Sequence, residues 1–259
     1  MKPATLLALN TFTFTITLLV NYLGGSGTLT GKSVGEISAK YPSLITPAAY
    51  AFSIWGIIYL FLLGFLGFQW HRYLKNDNGE SLLPSGLWFS ASNIFNSVWL
   101  LLWLHEELAL TVLVMFLLLF SLIRLVIRLK LEIWNAPLKI IAFVWWPICI
   151  YIGWIVLATP VNLAAWLTSL GVLENTLPPK VWAIIVISLA TGIYLWLIQK
   201  RNMREAALVG VWGLIAIAVN QWQSQQIIGW AALTAAALLF SASGYHAYIN
   251  RASSPFAKS

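Results

Sequence analysis

The chain has 259 residues, of which 60% are hydrophobic and only 9% charged, and its formal net charge is +7. Soluble domains are roughly a quarter charged, so this composition, with a mean hydropathy of +0.81, excludes a water-soluble globular fold. The long unbroken apolar runs exclude a β-barrel, whose strands alternate, and the lack of a basic face with interleaved aromatics excludes nucleic acid as a partner.

Apolar blocks of about twenty residues, the length that crosses a bilayer as a helix, recur from end to end and predict an all-α integral membrane protein with eight transmembrane helices. The first helix runs from about Pro3 to Tyr22. Asn10 and several threonines interrupt it and no small-residue cleavage site follows, so it reads as a retained helix and not a signal peptide. Gly24 to Thr46, with Gly24-Gly25-Ser26-Gly27 and Pro42 as breakers, is the longest connection and is placed to cap a cavity. The second helix, from about Pro47 to Trp70, has Pro47 in its first turn, where a missing N–H costs little. Tyr50, Phe52, Trp55 and Tyr59 follow as an aromatic patch.

The third helix runs from about Trp88 to Leu104 and carries Asn93, Asn96, Trp99 and Trp103. A tight turn, His105-Glu106-Glu107, leads into the fourth, from about Leu108 to Ile127. Three consecutive side chains at a helix end diverge, so that trio reads as solvated and not as a metal site. The fifth helix is long, from about Leu138 to Leu167, and contains Pro147 and Pro160. The sixth, seventh and eighth run from about Val181 to Ile198, Ala206 to Asn220 and Ile227 to Tyr248.

The positive-inside rule supports this count. With a cytoplasmic N-terminus, one side holds Lys2, Arg72, Lys75, Arg124, Arg128, Lys130, Lys139, Lys200, Arg201, Arg204, Arg251 and Lys258, twelve in all. The other holds Lys32, Lys40 and Lys180, three in all. Both termini are therefore expected in the cytoplasm, with the chain in a plasma (bacterial inner) membrane.

Catalytic motifs are scarce. No nucleophile elbow, P-loop, zincin motif or paired carboxylates within a span occur, and Cys149 alone permits neither an intramolecular disulfide nor a thiolate metal site. His71 and His246 fall at helix ends and read as interfacial. No catalytic residue, metal or required cofactor is expected.

Aromatics are abundant, with fifteen Trp, thirteen Phe and nine Tyr. Those at helix ends suit interfacial belts, while rings inside spans either fill the bundle or line an apolar pocket. The fifth helix carries a pattern. Trp154, Ala158, Asn162 and Trp166 are successive i+4 steps on one arc, with Tyr151 beside them and Pro160 pointing away. An asparagine in a span faces a partner helix or a cavity, and Asn93 and Asn96 are the expected partners of Asn162. Trp212, Ala216 and Asn220 on the seventh helix echo the same spacing, as an internal repeat or a coincidence would.

These stretches resemble the TspO/MBR family, the tryptophan-rich sensory proteins related to the mitochondrial translocator protein. The family's fifth helix carries P-Y-x-x-W-x-x-x-A-T-x-x-N-x-x-x-W, and Tyr151, Trp154, Ala158, Thr159, Asn162 and Trp166 match it in register. Asn96, Trp99 and Trp103 follow its third-helix spacing. Pro47, Tyr50, Phe52, Trp55 and Tyr59 are similar to its second helix, with Tyr for the first Trp and one residue fewer between the aromatic blocks. The resemblance covers the chain to about residue 170. It implies a TspO-like five-helix bundle over residues 1–170, followed over 171–259 by three additional helices and a short cytoplasmic tail.

By that resemblance the protein is a homodimer that binds a porphyrin, a haem-like molecule or another flat apolar ligand below the long first connection. The implied ligand-binding residues are Tyr50, Phe52, Trp55, Tyr59, Asn96, Trp99, Trp103, Tyr151, Trp154, Ala158 and Asn162. Porphyrin breakdown, tetrapyrrole-linked regulation and transport are the activities the resemblance brings with it. The sequence departs from the family at Ile150, where proline is usual, and lacks a Leu/Val–Tyr–Lys/Arg cholesterol pattern after the fifth helix. The expectation is a membrane-embedded binding protein or sensor for a planar apolar ligand. A secondary transporter of a small amphipathic solute is the alternative, suggested by the prolines within the fifth helix.

Overall fold

The computed structural model describes residues 1–77, 81–172 and 177–251. Among these residues there is no strand. Helix α1 is Pro3–Gly25, α2 is Val34–Lys40, α3 is Ile54–Leu74, α4 is Leu82–Ser85, α5 is Trp88–Leu104 and α6 is Leu108–Arg128. A short α7 (Leu138–Ile140) and a π-turn (Ile141–Trp145) lead without a break into α8 (Trp146–Ser169). Then come α9 (Pro179–Arg201), α10 (Arg204–Gln221) and α11 (Gln226–Ile249). Among the described residues, eight helices of at least 17 residues stand at the apolar blocks. Six of the described helices are long and apolar enough to cross a membrane; α5 and α10 are the shortest of the eight.

Three local differences from the sequence reading have physical causes. The first connection contains α2, begun by a capping box in which Ser33 Oγ accepts from Glu36 N–H and the Glu36 carboxylate accepts from Ser33 N–H. Pro47 is not in a helical turn. The backbone N–H of Ala48 donates to Ala216 O at 3.0 Å, which keeps the chain extended until a 3₁₀ turn at Ala49–Ser53 opens α3. The π-turn comes just before Pro147, which cannot donate to the carbonyl of Phe143, and the wider turn accommodates that missing bond. Lys258 and the expected C-terminal tail lie outside the described residues.

Helix α5 lies between α1 and α6; α6 packs on α8, α8 on α3 and α10, and α9 and α11 pack with α10. Arg72 of α3, Arg124 and Arg128 of α6, Lys200 and Arg201 of α9 and Arg204 of α10 collect at one end, hereafter the basic end, while Lys180 opens α9 at the other. Leu110, Leu113, Phe116, Phe120, Ile123 and Ile127 form an exposed stripe at helical spacing on α6, the pattern of a lipid-facing surface.

In lipid no hydrophobic force sorts helices, so close packing and hydrogen bonds must. Along the α1–α5 seam, Ser90 Oγ donates to Asn10 Oδ1 at 2.7 Å and Asn93 Nδ2 to Thr13 Oγ1 at 3.3 Å. Thr17 Oγ1 donates to Asn93 O at 2.9 Å, and Asn21 Nδ2 to Asn96 Oδ1 at 2.8 Å. Asn10 Nδ2 also donates to Gln69 Oε1 on α3 at 3.0 Å. The polar interruptions of the first apolar block are therefore one face of a parallel helix pair. Each such bond contributes about 0.6 kcal/mol, and at most about 1.7.

The α8–α10 seam works by contact. A Cβ placed on Gly153 would lie 2.7 Å from Ala206 O and 2.8 Å from Ala206 Cα, which are backbone atoms that cannot swing aside. The Gly153 carbonyl accepts the Tyr194 hydroxyl of α9 at 2.7 Å, so three helices meet there. Gly153→Ala is expected to destabilise the protein by about 1–3 kcal/mol. Gly192→Ala, with nothing within 4 Å of the added carbon, should leave thermal unfolding in detergent unchanged or slightly raised; equal melting shifts for both would contradict this packing.

Candidate ligand-binding site

Near the end opposite the basic one, α3, α5 and α8 bring their aromatic residues together. Trp55 is the hub. It stacks on Tyr59 at 5.5 Å between centroids, lies tilted on Trp99 at 6.2 Å, and receives Tyr151 and Trp154 edge-on at 5.9 and 6.5 Å. Trp99 stacks on Trp103 at 5.9 Å, and Phe52 meets Trp154 edge-to-face at 6.2 Å. Aromatic pairs favour these offset and edge geometries. Asn96, fully buried, accepts from the Tyr59 hydroxyl at 3.2 Å as well as from Asn21. Tyr50 stands apart, 41% exposed, with its ring edge-to-face on Trp212 of α10 at 5.2 Å.

The expected amide pairing is different in the structure. Asn162 Nδ2 donates to Thr111 Oγ1 of α6 at 3.1 Å, while Asn93 and Asn96 serve the α1–α5 seam. The cause is helix order: α6, not α5, packs along that stretch of α8. Thr111 was detectable as one of the few polar residues of the fourth apolar block. Asn162 Oδ1 and Trp99 Nε1 are buried with no hydrogen-bond partner. Both line a small gap of about 30 Å³, walled also by Phe52, Trp103, Trp154 and Ala158. Ser38, Pro47, Met115, Leu157 and Val161 complete the wall; Met115, Leu157 and Val161 carried no signal that separates them from ordinary core. Trp166, on the same arc of α8, is half-buried and takes no part in the ring cluster.

Two covers close the gap. The first is the strap of residues 42–53, irregular as far as Ala48 and a 3₁₀ turn from Ala49, which is clamped by α10. Trp212 Nε1 donates to Ala51 O at 3.2 Å, Asn220 Nδ2 to Thr46 O at 3.0 Å and Gln221 Nε2 to Ser43 O at 3.3 Å, beside the bond from Ala48 to Ala216. The 4, 4 spacing of Trp212, Ala216 and Asn220 thus presents one helix face to the strap.

The second cover is α2. Trp103 Nε1 donates to Val34 O at 3.2 Å, and Glu106 holds the far end. Its carboxylate accepts from Lys32 at 2.8 Å, from Tyr41 Oη at 2.6 Å and from Lys40. A left-handed backbone at Glu106, φ 61°, aims it there. Hydrogen bonds from Lys32, then Lys40 and Tyr41, hold the Glu106 carboxyl at about 2 against an ordinary 4.5. Its contribution to the loop is therefore present above pH 4.5 and lost as pH falls toward 2.

A polar cluster lies at the basic end, away from these rings. Glu132, Cys149 and Glu205 bring their ligating atoms within 4.8 Å of one another. Burial, and next the nearby Glu205, push the Glu132 carboxyl up to about 8, and it accepts from Asn202 Nδ2 at 3.1 Å. A proton held there near neutrality removes the charge repulsion between the two carboxyls.

If Glu106 pins α2, Glu106→Gln should raise amide hydrogen exchange in residues 33–41 at pH 7 while leaving α8 unchanged. Lowering the wild-type protein from pH 5 to pH 2.5 should reproduce the effect; unchanged exchange in both cases would contradict the assignment.

Among known proteins, the profile of the family described as "TSPO-like protein" matches residues 7–245. No curated protein and no solved structure matches the chain. The match runs through all eight long helices and beyond the boundary near residue 170. With the aromatic arc of α8 facing α3 and α5, the chain belongs to the TSPO-like protein family.

Proposed function

We propose that the protein is a membrane-embedded binding protein, acting as a sensor, for a flat and mostly apolar ligand of the tetrapyrrole class such as protoporphyrin IX. The basic end faces the cytoplasm, with both termini there, and the strap and α2 face the opposite side. One observation carries this reading: a buried cluster of stacked rings around one gap, two of whose lining residues hold an unpaired buried acceptor, Asn162 Oδ1, and an unpaired buried donor, Trp99 Nε1. Buried polar atoms are ordinarily hydrogen-bonded, and ligand pockets combine aromatic walls with a few placed polar groups.

The gap of about 30 Å³ is an order of magnitude below the roughly 300 Å³ at which ligand pockets begin. Binding therefore requires an open state, and a ligand favours that state by its greater affinity for it. Opening at the strap carries Phe52, and through α3 Trp55, away from Trp99 and Trp154. The ligand then replaces ring–ring stacking with ring–ligand stacking, so Trp55, Trp99 and Trp154 form the walls. Asn96 and Asn162 set orientation through their amides, and Tyr59, Tyr151, Trp103 and Ala158 shape the remainder.

Purified protein titrated with protoporphyrin IX should show saturable tryptophan quenching, weakened by Trp154→Phe combined with Asn162→Ala. Quenching indistinguishable from that of an unrelated tryptophan-rich membrane protein would sink this reading. Asn220→Ala removes one strap hydrogen bond, worth about 1 kcal/mol. It should speed association about fivefold in stopped flow, and slower association would contradict opening at the strap.

A further inference from the structure

A second, larger cavity lies on the other side of α8. It occupies about 530 Å³ between the ends of α8, α9 and α10 that lie away from the basic end, within the range of small-molecule pockets. Leu163 and Leu167 of α8 and Trp182 and Val186 of α9 supply apolar walls. The rim is polar, with Asn220 and Gln225 at its α10 and α11 edge. Among the described residues no Asp, Glu, Lys, Arg or His lines it.

We propose that this cavity is a second binding site, for an uncharged amphiphile with one apolar body and a hydrogen-bonding head of hydroxyl or ester type. The inference does not rest on the tetrapyrrole reading, because the two cavities share no lining residue. The apolar walls take the body. The head lies at the rim, where the Gln225 side chain makes no hydrogen bond among the described residues, and Asn220 spends its Nδ2 on Thr46 O and keeps Oδ1. Among the described residues a charged head would find no counter-ion there, and burying an unpaired charge is strongly unfavourable. Small residues make the room: Ala164 and Ala183, 9% and 4% exposed, line the cavity from facing helices.

The test uses the full chain in nanodiscs and a diazirine-bearing 1-monoacylglycerol, with crosslinks mapped by mass spectrometry. One arm incorporates the probe in the bilayer; the other adds a short-chain version from solution below its micellar concentration. Saturable labelling of the stretches 163–167 and 182–186 is expected from at least one arm, and the arm that labels identifies a lipid or a water-borne source. Mono-olein should compete, and lysophosphatidic acid of the same chain should be at least tenfold weaker. Ala164→Phe and, independently, Ala183→Phe should cut labelling fivefold or more while protoporphyrin quenching stays as in the wild type.

Three results would overturn the proposal. They are labelling from neither arm, non-saturable labelling spread over the exposed α6 stripe, and equal competition by lysophosphatidic acid. The last two need no variant, so a substitution that fails to fold does not shelter the idea. Loss of protoporphyrin quenching with intact labelling would count against the aromatic site alone.

Discussion

The clamp of α10 on residues 43–51 is the interaction on which the rest of the architecture turns. An extended segment passing over a helical bundle has unpaired backbone groups, and in a medium without water each one must find a partner inside the protein. Helix α10 provides them: an indole, two side-chain amides and a main-chain carbonyl bind four consecutive stations of the strap. Fixed this way, the strap sets the start of α3, and the start of α3 places Phe52 and Trp55 among the rings of α5 and α8. The clamp also separates the two cavities, since residues 42–45 line one and Pro47 lines the other.

The two helical seams solve the lipid problem differently. Between α1 and α5, amides and hydroxyls interlock over about three turns of α1, giving specificity through geometry. Between α8 and α10, Gly153 and Gly213 let one helix ride close against the other, with Leu157 packed on Gly213. The first seam tolerates small separations because hydrogen bonds lengthen gradually. The second does not, because steric contact with backbone is stiff. Rigidity is thus concentrated toward the basic half of α8, and compliance lies where its rings and amides face the strap.

Most of the helix layout was visible in the sequence, for a physical reason: a spanning segment must satisfy its own backbone, so each span appears as one apolar block. Helix ends moved by only a few residues, except the start of α3, which lies at Ile54 and not at Pro47. The arc of Trp154, Ala158 and Asn162 was also visible, because i+4 spacing fixes a shared face without reference to other helices. Partner choice was not. Asn162 could have met any polar side chain, and spatial order sent it to Thr111 instead of the amides of α5. The strap was hidden too, since an extended segment held by a distant helix has no periodicity of its own. Its signature lay in α10, where Trp212, Ala216 and Asn220 repeat a spacing that resembles duplication but marks a docking face. Only α2 had a local signal, the Ser33–Glu36 cap.

Pro160 has the last consequence. It cannot donate to the carbonyl of Val156, so α8 lacks one rung of its ladder between Ala158 and Asn162, which face one compartment, and Leu163 and Leu167, which face the other. The helix is a party wall with a soft course in it. The wall that the two compartments share is softest where both are lined, because it lacks a backbone hydrogen bond there.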